Sequence, residues 1–214
     1  MRVKICGITR LRDVNDALNE GADALGFVVE SPSSPRNLTL TRARMLMKAV
    51  HVFSSRVAVT SSRDSERVLR ICDQLKPDAI QLHYHNPKTI HLLRNKHPAT
   101  KIILATAIRN LSSLRQASDS TRYSDAILTD SPSPTGIGGT GRIHNWHLTA
   151  KVRKKIYPHP MILAGGLTPK NVRAAIREVN PYAVDVSSGV ERTVGIKDQV
   201  KIREFIMNAK EATA

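Results

Sequence analysis

Two side chains in this 214-residue sequence have the types an acid–base pair needs, and each closes a short apolar run. Cys6 ends Val3-Lys4-Ile5-Cys6, and Asp130 ends Ala126-Ile127-Leu128-Thr129-Asp130. An ordinary thiol titrates near about 8.5, and nearby positive charge or a helix N-terminus lowers that value, so Cys6 is a candidate general base. A carboxyl whose pKa is raised by desolvation serves as a general acid, which makes Asp130 its candidate partner. Arg36 follows the proline-constrained Ser31-Pro32-Ser33-Ser34-Pro35 and offers a planar fork to a carboxylate. His83 ends a fourth apolar run, where it is able to hydrogen-bond a ligand. Two glycine-bearing segments, Ala164-Gly165-Gly166-Leu167 and Ser187-Ser188-Gly189-Val190, each follow a short apolar run and precede a segment able to turn helical. Bare backbone N–H groups at such turns approach an anion closely, so Gly165, Gly166, Ser188 and Gly189 are the candidate phosphate grip.

These groups need a scaffold that brings distant stretches together. Strand patterns occur at residues 3–6, 24–29, 56–60, 79–83, 101–106, 126–130, 161–164 and 183–187. Helical patterns lie between many of them, at 11–20, 42–50, 64–75, 87–96, 171–179 and 199–209. Alternating strand and helix predicts a parallel sheet with right-handed crossovers, and eight units close a (β/α)8 TIM barrel spanning residues 1–214 as one α/β domain. The open doubly wound sheet is the alternative, but no G-x-G-x-x-G follows the first strand. Thr9 before Leu11 and Thr168 before Pro169 mark helix starts; Pro77, Pro98 and Pro181 fall just ahead of strands. In a barrel, the candidate site residues sit at the C-terminal strand ends, where catalytic groups collect. The glycine-rich loop at 131–141 falls at the same end and reads as a lid. Period-two alternation turns Lys4 and Cys6 inward and Val3 and Ile5 toward the helices. Asp185, on the eighth strand, then needs a partner inside, and Lys4 on the adjoining strand is the nearest one.

Composition narrows the function classes. The formal charge of +15 is spread along the chain, with only Lys151-Val152-Arg153-Lys154-Lys155 as a cluster, and aromatics make up 4% of residues. Base-stacking platforms for nucleic acid are therefore scarce, and a basic surface that attracts anionic substrates is the favoured reading. A barrel reused as a basic nucleic-acid-binding protein remains the reading from a different class. Two cysteines are too few for a disulfide framework and point to a reducing cytoplasm; no run is long enough to cross a bilayer and no targeting segment is visible. Cys72 falls on an apolar helical stripe and reads as core. His83 with His85, and His144 with His147, lack a third ligand at suitable spacing, so no metal is expected.

Lys4-Ile5-Cys6-Gly7-Ile8-Thr9, Gly21-Ala22-Asp23-Ala24-Leu25-Gly26-Phe27-Val28, Ser34-Pro35-Arg36, Gln81-Leu82-His83, Gly138-Gly139-Thr140-Gly141, Leu163-Ala164-Gly165-Gly166-Leu167 and Val184-Asp185-Val186-Ser187-Ser188-Gly189-Val190-Glu191 follow one another in this order. As a set they resemble the phosphoribosylanthranilate isomerase family of tryptophan biosynthesis. The resemblance implies a cofactor-free Amadori rearrangement of a phosphorylated small molecule, N-(5-phosphoribosyl)anthranilate. It implies that Asp130 protonates the furanose ring oxygen and that Cys6 removes the proton from C2. It further implies that Arg36 holds the anthranilate carboxylate and that Gly165, Gly166, Ser188 and Gly189 surround the phosphate; His83 and Asp185, from their strand positions, are the further candidate substrate-binding residues. The chain departs from the family pattern at Val57-Ala58-Val59-Thr60-Ser61, at Tyr84 where a glycine is usual, and at Ile143-His144-Asn145-Trp146. The related aminoimidazole carboxamide ribonucleotide isomerases use two aspartates as acid and base; Cys6 argues against that assignment.

Overall fold

Each strand–helix unit begins with a run too short and too apolar for anything but a strand buried on both faces. The computed structural model, which describes residues 1–84, 86–131 and 145–212, arranges eight such strands as a closed parallel barrel in sequence order. They are β1 (Arg2–Cys6), β2 (Ala24–Val28), β3 (Ser55–Thr60), β4 (Ala79–Leu82), β5 (Lys101–Ala107), β6 (Ala126–Asp130), β7 (Met161–Leu163) and β8 (Ala183–Val186). The barrel closes where β1 pairs with β8, placing Lys4 opposite Asp185. The helices are α1 (Leu11–Asn19), α2 (Leu40–Met47), α3 (Ser65–Leu75), α4 (Pro87–Lys96), α5 (Ser112–Ser120), α6 (Trp146–Ile156), α7 (Val172–Val179) and α8 (Gln199–Glu211). After β8 the chain adds a short antiparallel hairpin, β9 (Glu191–Thr193) and β10 (Ile196–Lys197).

The core has two parts, separated by the barrel wall. Between strands and helices lie large apolar side chains, among them Ile5, Leu25, Phe27, Ile80, Leu104 and Phe205. Inside the barrel lie Cys6, Val28, Val57, Val59, Ala79, Ile103, Ala105, Ala126, Leu128, Ile162, Ala164 and Ala183. Val3 and Ile5 pack outward and Cys6 inward, as alternation requires. Cys72 is buried in the outer shell on α3, where burial pushes its thiol up to about 12 and leaves it inert.

Helix starts follow cap chemistry at five places: Thr39, Asp64, Asn86, Asn145 and Asp198 accept backbone N–H bonds from the first turns of α2, α3, α4, α6 and α8. Two expected starts differ. Arg10 occupies the N-cap of α1, and Thr9 instead donates its hydroxyl to the Gly195 carbonyl at 2.5 Å, tying the first loop to the hairpin. At α7 the helix begins after Asn171, whose Oδ1 accepts from the Thr168 N–H, so the proline lies in a preceding turn. The helices α5 and α6 and the hairpin add to the elements read from the sequence. Ser112–Ser120 carries only two apolar side chains, Leu114 and Ala117, and Trp146–Ile156 has a basic last turn.

Candidate active site

The C-terminal end of the barrel holds an open cavity, and the strand ends supply its walls. Cys6 comes from β1, Gln81 and His83 from the end of β4, Asp130 from β6, and Asp185 and Ser187 from β8 and its exit. Ser31, Ser34 and Arg36 enter from the loop after β2. The expected acid, the expected base and three other predicted residues (Arg36, His83, Asp185) thus share one cavity.

Below them runs a buried polar chain. Lys4 Nζ donates to Asp185 Oδ1 at 2.9 Å and to Gln81 Oε1 at 3.0 Å, and Gln81 Nε2 lies 3.3 Å from His83 Nε2. The Lys4–Asp185 pairing expected from register is present, with both side chains nearly inaccessible. Burial disfavours the Lys4 charge, but Asp185 and the neighbouring Cys6 outweigh it and push its pKa to about 12. A charged ammonium therefore sits beneath the thiol.

Asp130 behaves as anticipated. Burial raises its pKa to about 6, against the Ser131 backbone N–H that donates to Oδ1 at 2.7 Å. The Asp185 charge adds to the rise, and Lys4 opposes it. Cys6 departs from the expectation of a lowered thiol. Burial pushes it up, and the attraction of Lys4 and Lys197 only offsets part of that cost. The reason is location: Cys6 sits within the barrel mouth rather than on a solvated helix terminus. Its space is made by Gly26, which pairs with it across β1 and β2; a Cβ there would stand 2.7 Å from Sγ.

Arg36 also differs from a free clamp. Its Nε and Nη2 donate to Glu191 Oε1 and Oε2 at 2.7 and 2.6 Å. Glu191 and Lys197, both buried, were not among the expected site residues. The signal was present in the sequence as a carboxylate directly after Ser188-Gly189-Val190, but nothing local tied it to an arginine 155 positions away.

The four expected phosphate residues do not line this cavity. They occupy the neighbouring exits of β7 and β8. Gly165 and Gly166 have φ of 84° and 66°, a left-handed pair that glycine adopts without strain. Ser188 and Gly189 open a 3-10 turn, Ser188–Val190. Gly189 packs so tightly on the Leu167 carbonyl that a Cβ would stand 1.9 Å from that oxygen. The two exits therefore meet as one backbone surface. The expected lid, with Gly138-Gly139-Thr140-Gly141, and the histidines His85 and His144 fall outside the described residues. Among the described residues no group of three His, Cys, Asp or Glu side chains is placed to hold a metal ion. No helix among them is long and apolar enough to cross a membrane.

A closed parallel barrel with a thiol, a proton-holding carboxyl and an arginine in one C-terminal cavity defines a (β/α)8 enzyme equipped for acid–base isomerisation. Comparison with known proteins narrows this. The family model described as N-(5'phosphoribosyl)anthranilate (PRA) isomerase matches residues 3–208. An N-(5'-phosphoribosyl)anthranilate isomerase of Methanothrix thermoacetophila is 43% identical over 210 residues, covering 98% of each chain. The crystal structure of phosphoribosyl anthranilate isomerase from Thermotoga maritima is 38% identical, with a TM-score of 0.87 over 99% of both chains. A further crystal structure of such an isomerase, in complex with reduced 1-(o-carboxyphenylamino)-1-deoxyribulose 5-phosphate, is 36% identical with a TM-score of 0.83. The chain belongs to the N-(5'-phosphoribosyl)anthranilate isomerase family.

Proposed function

We propose that this barrel converts N-(5'-phosphoribosyl)anthranilate to 1-(2-carboxyphenylamino)-1-deoxyribulose 5-phosphate, with Asp130 as general acid and Cys6 as general base. The reaction is an aldose–ketose isomerisation of tryptophan biosynthesis. The observation that carries the reading is the meeting of Cys6, Asp130 and Arg36, from β1, β6 and the loop after β2, in one cavity beside the glycine exits of β7 and β8. Protonated Asp130 gives its proton to the furanose ring oxygen as the C1–O bond breaks. The anilino nitrogen lone pair forms the C1=N bond of an iminium, which acidifies C2. The Cys6 thiolate takes the C2 proton, and the electron pair moves into the C1–C2 bond to give an enolamine. In the tautomerisation the proton held by Cys6 is returned to C1 and the proton on the C2 oxygen passes to Asp130, directly or through water, so the catalytic pair ends as it began. Arg36 binds the anthranilate carboxylate, Gly165, Gly166, Ser188 and Gly189 bind the phosphate, and His83 and Asp185 line the sugar. Holding both ends of the substrate removes much of the orientational cost of the step.

The protonation states favour Asp130 as the acid. A carboxyl with a pKa of about 6 keeps a usable protonated fraction near neutrality, and Lys4 beneath Cys6 stabilises the thiolate once formed. Both cysteines are free and buried, which suits a reducing cytoplasm. The test is a fluorescence assay of phosphoribosylanthranilate consumption by purified protein, with Cys6→Ala as control. Turnover that Cys6→Ala abolishes supports the reading; no turnover, or equal turnover by the variant, rejects it. Salt-sensitive retention of RNA or DNA in place of turnover would point to the nucleic-acid reading.

A further inference from the structure

Arg36, Glu191 and Lys197 form a buried charged triad beside the cavity, with side chains 9%, 5% and 1% exposed. Glu191 and Lys197 stand on adjacent strands of the β9–β10 hairpin and pair with each other; Lys197 Nζ donates to Glu191 Oε1 and to the Ser187 carbonyl, both at 3.0 Å. The hairpin is itself anchored. Lys201 Nζ donates to the Glu191 carbonyl at 2.8 Å, and Thr9 holds the Gly195 carbonyl. Gly7 leaves the passage that the arginine stem needs: a Cβ there would stand 2.5 Å from Arg36 Cδ.

The geometry of the fork is informative. Glu191 takes Nε and one N–H of Nη2, which fixes the guanidinium plane. Nη1 makes no hydrogen bond among the described residues, and Nη2 keeps a second N–H. The Nη1–Nη2 edge of a cavity-lining arginine is therefore open to a planar two-oxygen acceptor. Two cations and one anion leave this triad a net positive charge. Lys197 offsets Glu191, so that Arg36 is oriented without being neutralised toward the cavity. A free arginine side chain would lose rotamer freedom on gripping a ligand; here that ordering is made in advance.

We propose that Glu191, held by Lys197, is a positioning residue that aims Arg36 at the substrate carboxylate, so that the hairpin after β8 selects an o-carboxylated aromatic amine. The proposal rests on the reading of Arg36 as the carboxylate clamp. It is tested with Glu191→Gln, Glu191→Asp and Arg36→Ala, by measuring binding of reduced 1-(o-carboxyphenylamino)-1-deoxyribulose 5-phosphate and of its analogue without the carboxyl group. Glu191→Gln removes the charge at constant shape; Glu191→Asp keeps the charge and withdraws it by one methylene. Positioning predicts that both variants weaken the carboxylated ligand about tenfold while binding of the other ligand stays within about twofold, and that KM rises more than kcat falls. Loss of charge alone predicts the opposite for Glu191→Gln, tighter binding, because the cavity becomes more positive. That result, or equal losses for the two ligands, overturns the proposal. The Arg36→Ala variant separates the two layers: if it discriminates between the ligands and the Glu191 variants do not, only the positioning role fails. If Arg36→Ala itself does not discriminate, the clamp reading fails and the positioning role with it. Should the unbalanced cations prevent Glu191→Gln from folding, Glu191→Asp decides.

Discussion

The inside of the barrel and the shell around it are built from the same eight strands, yet they differ in chemistry. The shell packs large side chains such as Phe27, Phe205, Leu25 and Leu104 between strands and helices. The interior mixes five alanines, Ala79, Ala105, Ala126, Ala164 and Ala183, with a few larger aliphatics and leaves room for Lys4, Gln81 and Asp185. Lys4, Asp185, Gln81 and His83 are linked to one another, through Lys4 to Asp185 and Gln81 and from Gln81 to His83, while the Asp130 carboxyl at the rim accepts, among the described residues, only from the Ser131 backbone. The two layers divide the labour. The shell supplies the apolar burial that stabilises the fold, and the interior carries charges whose burial costs stability but tunes proton affinities.

This division can be broken from the interior first. Cys6→Ala and Asp130→Asn should each lower kcat by about 10²–10⁴-fold with the fold intact, measured by steady-state kinetics alongside circular dichroism. Comparable activity in either variant would dissolve the functional assignment of the interior. The shell counterpart is Phe27→Ala, fully buried on β2 and facing the helices. It should cost about 3–5 kcal/mol in denaturant unfolding, while the protein that remains folded keeps its kcat. A large kcat loss at that position would show that the layers are not separable.

Gly26→Ala sharpens the comparison, since it touches the interior only. The added methyl would press on Sγ of Cys6 and stand 3.1 Å from its Cα; a displacement of the reacting sulfur by about 1 Å should lower kcat about 100-fold, with an overpacking cost of about 1–3 kcal/mol in unfolding. Asp130→Asn supplies the opposite sign in stability. Asp130 holds its proton more tightly in the folded protein, at about 6 against an ordinary 3.8. Ionising it therefore costs stability; the cost is absent below the ordinary value and complete above about pH 6. The variant should exceed the wild type by roughly 2–3 kcal/mol at pH 7–8 and lose that advantage near pH 4, read from unfolding curves across pH. The same carboxyl shapes the kinetics. Activity requires protonated Asp130 and ionised Cys6, whose affinities are ordered the other way, so kcat/KM should rise with pH to a break at about 6 and then level. Asp130→Asn should erase that break. The smallest effect belongs to the periphery: Asp198→Ala removes the cap of α8 and should cost about 1 kcal/mol without altering catalysis.

Much of this was legible in linear form. The eight strand runs and the inward phase of Lys4 and Cys6 depend on local pattern, and the barrel realised them; the helix starts expected at Thr9 and Thr168 moved to Arg10 and Asn171, because loop contacts took those side chains and turns. The Lys4–Asp185 pair was readable because alternation and closure together fix which strands meet and which way their residues face. Helices α5 and α6 were not read from the sequence: α5 carries only Leu114 and Ala117 as apolar side chains, and α6 follows the long glycine-rich segment and ends in a basic turn that masks its apolar face. The hairpin after β8 was equally hidden: its strands are three and two residues long, too short to show any period.

The sequence by itself determined the strand–helix alternation, the residue types at the strand ends and the family motifs, because each is a property of neighbours along the chain. The fold alone decided the protonation of those residues and their partners. Burial at the barrel mouth raised the Cys6 thiol where its chemistry suggested a lowered one, and a carboxylate 155 positions away occupied the fork of Arg36. Desolvation and pairing depend on what surrounds a group in space, and a linear order of residues carries neither until the barrel closes.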